Sequence, residues 1–171
     1  MANHSNNALI GATGNFYVMA RLAYENLHAA CTFGNAPNID ILVSSKSGDK
    51  SVAIQVKTSA YARRGKGKKE NNQKLLDWPI SYKSALQKTP NLFFVFVDLW
   101  GQNCQSEDDN INKVKFWQPT CYIISSIELS RKCEELGWDS TWWRFQIETD
   151  FMEAYKDNWD LIKAELGEPL I

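Results

Sequence analysis

An acid, an amide and an amine lie inside two strand-like runs, spaced so that folding can gather them on one patch. The runs are residues 39–44 and 51–58, each rich in β-branched or apolar residues. Between them, Ser47-Gly48-Asp49 signals a turn. Side chains alternate faces along a strand, so Gln55 and Lys57 share one face and Ile54 and Val56 the other. In the first run Ile39, Ile41 and Val43 share a face, leaving Asp40 with Leu42. A turn centred between Ser47 and Gly48 sets Asp40 opposite Gln55, Ile41 opposite Ile54 and Leu42 opposite Ala53. A slip of one residue would mix polar with apolar faces. A carboxylate and an amide oxygen are hard ligands suited to Mg²⁺, which needs only one or two carboxylates and keeps waters. A neighbouring lysine orients or deprotonates a water, or stabilises charge on a phosphoryl group. These parts fit metal-assisted phosphodiester hydrolysis. The plainer alternative is a cross-strand Asp40–Lys57 ion pair with Gln55 as bystander.

Asp40, a hairpin and then Gln55-Val56-Lys57 resemble the core motif of the PD-(D/E)xK nuclease superfamily, in a Gln-x-Lys variant. The wider stretches TFGNAPNID (32–40) and IQVKT (54–58) are similar to an uncharacterised, mostly bacterial subgroup assigned to that fold. The resemblance implies an α/β domain with a restriction-endonuclease-like core, a mixed central β-sheet flanked by helices. It implies Mg²⁺ or Mn²⁺ bound by Asp40, the Gln55 side-chain oxygen and the Val56 carbonyl, with Lys57 activating the attacking water. DNA is the implied substrate, and pairing to cut both strands makes a homodimer an expectation of the family. There are departures. Ile39 stands before Asp40 in place of proline. In Gly11-Ala-Thr-Gly14-Asn15, Asn15 stands where the superfamily often has a glutamate, which leaves it a supporting role. With Gln55 replacing a second acid, one carboxylate remains of three. The alternative function is therefore a catalytically degenerate module of the same fold, binding nucleic acid or a protein partner without cleavage.

The surrounding elements must hold this patch. Phe16, Met19, Leu22, Ala23, Leu27 and Ala30 recur at helical spacing, predicting a helix over about 14–30 with Thr13 as its cap and residues 1–8 as a flexible tail. Asn15 lies on the stripe of Met19 and Leu22, and Arg21 and Glu25 are spaced for an i,i+4 ion pair. Residues 60–77 read as a flexible basic loop leaving the second strand. Its Arg63, Arg64, Lys66, Lys68 and Lys69 are candidate contacts to backbone phosphates. Tyr61 is either a packing residue or a stacking one. A short helix over 80–87 precedes LFFVFVDL (92–99), a strand covered on both faces. Residues 121–125 predict another strand. Ser126 is the expected cap of a helix closed by Gly137. Trp138, Trp142, Trp143 and Phe145 suggest buried packing, and 151–166 a final amphipathic helix.

The length of 171 residues predicts one domain over 1–171. A net charge of −1 confines any nucleic-acid site to a local basic patch. Cys31, Cys104, Cys121 and Cys133 lack metal-ligand spacing and read as free thiols in a reducing compartment. The polar start MANHSNN has no signal-peptide core, and the apolar run over 92–97 is too short to span a bilayer. A cytoplasmic protein without membrane attachment is the expectation.

Overall fold

Helix α1 (His4–Tyr24) opens the chain and packs across a sheet built from β1 (His28–Cys31), β2 (Ile41–Ser44), β3 (Ser51–Ser59), β6 (Leu92–Asp98) and β7 (Thr120–Ser125). The computed structural model describes residues 4–32, 39–64, 75–100, 118–139, 141 and 144–170. Strand order is β1-β2-β3-β6-β7, with β3 and β6 parallel and the other neighbours antiparallel. A second sheet joins β4 (Arg63–Arg64), β5 (Leu75–Pro79) and β8 (Arg144–Glu148). The remaining helices are α2 (Tyr82–Ala85), α3 (Ser126–Glu135), α4 (Thr149–Glu153) and α5 (Asp160–Leu166).

Alternation along β6 divides the core in two. Phe93, Val95 and Val97 pack with Val18, Leu22 and Ile162 of α1 and α5. Leu92, Phe94 and Phe96 pack with Trp78, Leu129 and Phe145 on the opposite face. Every residue of β6 is buried, as its unbroken apolar run requires. The result is an α/β fold with a mixed central sheet flanked by helices. The second sheet shares the face that carries α3.

Several boundaries differ from the sequence reading. Residues 4–8 belong to α1, and Thr13 lies inside the helix, where its hydroxyl donates to the Leu9 carbonyl at 2.7 Å. Helix α1 ends at Tyr24 and is closed by Asn26, whose φ of 59° is left-handed, with the Leu27 amide bonded to the Leu22 carbonyl at 2.9 Å. Residues 28–31 therefore pair with β2 as β1, and Phe16 is 71 % exposed, off the core face. The core face runs through Gly14, Val18 and Leu22. Ser125, not Ser126, caps α3; Ser126 instead exchanges hydrogen bonds with the Thr89 backbone. The last helix is two. Between α4 and α5 the Tyr155 carbonyl accepts from the Ile123 amide at 2.9 Å, and the Asp157 amide donates to Cys121 at 2.7 Å. This segment lies along the outer edge of β7 and covers polar backbone that a continuous helix would leave bare.

Gly14 sets how closely α1 approaches β3. A Cβ there would overlap Thr58 Oγ1 and lie 2.9 Å from Thr58 Cβ. Alanine is the better helix former by about 1 kcal/mol, yet Gly14→Ala is expected to destabilise the fold by about 1–3 kcal/mol through overpacking. Urea unfolding will read this, and adding Thr58→Ala should restore part of the loss, since Thr58 Cβ stays in the way.

Candidate active site

The register of the hairpin follows from its turn. Gly48 sits at φ 76° and its amide bonds the Ser45 carbonyl at 3.0 Å. Ile41 pairs with Ile54, Leu42 with Ala53 and Val43 with Val52, as the alternation of faces requires. Asp40 does not continue that ladder to Gln55. Its amide donates to the Ile54 carbonyl at 2.9 Å, so Asp40 and Ile41 both stand against Ile54, the two-against-one count of a β-bulge. The cause lies on β1's side. The Thr32 amide donates to the Asp40 carbonyl at 3.0 Å, and its hydroxyl to the Ile39 carbonyl at 2.6 Å. The bulge aims the Asp40 carboxylate along β3, where Oδ2 accepts from the Val56 amide at 2.8 Å.

That hydrogen bond locates a second oxygen. Backbone groups of alternate residues face the same edge of a strand. The Val56 amide faces Asp40, so the Val56 carbonyl points to the same edge, beyond the end of β2. There a cleft of about 550 Å³ opens, lined by Asn15 of α1, Asp40, Val56, Lys57, and Pro79 and Arg144 of the second sheet. Val52, Ile54 and Val56 belong to the core under α1, whereas Ala53 packs on the other face, which places Gln55 and Lys57 on that side. Gln55 is only 6 % exposed and is not among the lining residues.

Of the expected site residues, the structure thus gathers Asn15, Asp40, Val56 and Lys57 and leaves Gln55 beneath the surface. Burial pushes the Lys57 amine below its usual pKa, against the opposing pull of the Asp40 carboxylate. Arg63 and Arg64 form β4, paired with Leu76 and Leu75, while Lys66, Lys68 and Lys69 lie outside the described residues. Trp142, Trp143 and Cys104 also lie outside them. Tyr61 meets Trp100 edge-on at 6.2 Å between ring centroids, a packing contact. Arg21 and Glu25 form the expected pair at 3.4 Å, and Glu25 also binds the buried Lys163 at 2.7 Å. Arg144 and Pro79 were not foreseen. Both arrive through pairing of β5 with β8, for which no local spacing gives a signal.

Among the described residues no three His, Cys, Asp or Glu side chains gather, so a cage of protein ligands is absent there. One carboxylate and one carbonyl in a polar cleft nonetheless match Mg²⁺, which fills most of its shell with water. No protein-family model matches the chain, and no curated protein sequence matches it. Among solved structures, the chain is similar to the bacterial homing endonuclease I-Ssp6803I, with 11 % identity, a TM-score of 0.47 and 92 % of each chain covered. Among the described residues no helix is long and apolar enough to cross a membrane.

Proposed function

We propose that this protein is a divalent-metal-dependent nuclease hydrolysing DNA phosphodiester bonds. The observation that carries the reading is the Asp40 carboxylate fastened to the Val56 amide at 2.8 Å, in one cleft with the half-buried Lys57. Asp40 and the Val56 carbonyl would hold Mg²⁺ or Mn²⁺. Gln55 would add a third oxygen, which requires its side chain to reach outward from its buried position. The ion, when bound, supplies positive charge against the phosphate oxygens and acidifies water. Lys57 holds the attacking water by a hydrogen bond and accepts its proton. Asn15 steadies the water shell from α1.

The test is cleavage of plasmid, single-stranded and branched DNA with Mg²⁺, Mn²⁺ or EDTA. Cleavage should need the metal and vanish in Asp40→Ala. Equal activity in both proteins would mark a contaminant and sink the reading. A second reading rests on Asp40 being the one carboxylate that lines the cleft among the described residues: a degenerate module that binds DNA or a protein partner without cutting. It is favoured if the protein binds DNA with a steep salt dependence and leaves every substrate intact with either metal.

A further inference from the structure

Among the described residues, the charged ones lining the cleft are Asp40, Lys57 and Arg144. A phosphodiester brought to Asp40 meets a like charge that the proposed ion would offset, and without the ion a cationic side chain is what can hold the phosphate in the cleft. Lys57 is occupied with the water in the proposed chemistry. The planar fork of the Arg144 guanidinium matches phosphate oxygens. Its Nε donates to Asp77 Oδ1 at 2.6 Å. The two side chains differ in access: Asp77 is 4 % exposed and Arg144 23 %. The carboxylate is thus sealed in the protein while the arginine borders the cleft.

A purely structural role explains this pair poorly. β5 and β8 are already joined by a ladder from Leu75↔Glu148 to Pro79↔Arg144. Burying an ionised aspartate is costly, and apolar replacements of such pairs are often no less stable. What the arrangement does supply is a guanidinium with a fixed bearing on the cleft.

We infer that Arg144, aimed by Asp77, is the phosphate-binding residue of the cleft, taking non-bridging oxygens of the DNA backbone. The inference rests on the nuclease reading of the cleft. It adds a contact from β8 to those expected of the basic segment at 63–69.

The experiment measures anisotropy of a labelled DNA duplex in EDTA across a salt series, for the full chain and two variants. Arg144→Gln should bind about tenfold more weakly and lower the log–log salt slope by about 0.9, the share of one phosphate contact. Arg144→Lys should keep the slope and lose affinity several-fold, because an ammonium cannot make the paired contact. Thermal melting checks that both variants fold; if Arg144→Gln does not, Arg144→Lys decides, and wild-type affinity in it overturns the inference. A folded Arg144→Gln protein with unchanged affinity and slope also overturns it, while metal-dependent cleavage by the wild type would leave the nuclease reading standing. A wild type without salt-dependent DNA binding overturns both.

Discussion

Lys57→Met is expected to slow the proposed DNA cleavage by about 10²–10⁴-fold, the usual worth of a placed proton acceptor. Methionine matches the side chain as far as Cε and removes the amine, so packing beside β3 should hold. The pH profile separates a chemical role from a structural one. Burial lowers the Lys57 pKa and Asp40 resists that shift, so the neutral amine becomes available at a lower pH than for an ordinary lysine. The wild-type rate should rise with pH through the lowered pKa and then level off, and Lys57→Met should lack that limb. Stability carries the same signature. Between the lowered folded pKa and the ordinary one, the unfolded chain binds more protons, so the folding free energy improves as pH rises across that window. Lys57→Met should lose this slope. Single-turnover cleavage and urea unfolding across a pH series measure both, and a variant cutting at the wild-type rate would remove Lys57 from the mechanism.

Trp78→Ala should be the most damaging single truncation among the residues that shape the cleft, at about 3–5 kcal/mol. Trp78 has no exposed surface, and its ring lies 5.1 Å from Phe96 and 5.6 Å from Tyr122. Its indole N–H donates to the Val97 carbonyl at 3.0 Å, tying β5 to the central strand β6. Alanine removes the ring and takes away that donor. Urea unfolding gives the stability, and Trp78→Phe, which keeps most of the volume, should lose less. Because Pro79 and Arg144 reach the cleft through this sheet, Trp78→Ala should also weaken DNA binding at temperatures where the protein is still folded. Undiminished binding there would show that the second sheet contributes nothing to the cleft.

Much of the fold was legible where local pattern and tertiary environment agree. The hairpin followed from alternation about its turn, β6 from its unbroken apolar run, and the end of α3 from Gly137, whose φ is 68°. Reading failed where distant pairing overrode local signal. HAAC at 28–31 looks like the last turn of a helix because Leu27 and Ala30 fit the helical period, yet the left-handed Asn26 turns it into β1. β5 contains Asp77 and ends at Pro79, both poor strand formers, and owes its state to β4 and β8. The candidate site divides the same way. That Asn15, Asp40, Val56 and Lys57 lie beside one cleft was legible from one hairpin and one helix. The bulge that aims Asp40 was not, since it depends on hydrogen bonds from Thr32, beside an unforeseen strand.

The stretch of chain laid along β7 makes the main sheet asymmetric in its room for growth. That flank is closed by the protein's own backbone at Tyr155 and Asp157, whereas among the described residues no strand lies beyond β1. An ancestral insertion that enlarged this sheet would have one side on which to settle, and a lineage that widened it should carry its added strand next to β1, across the sheet from the flank already closed.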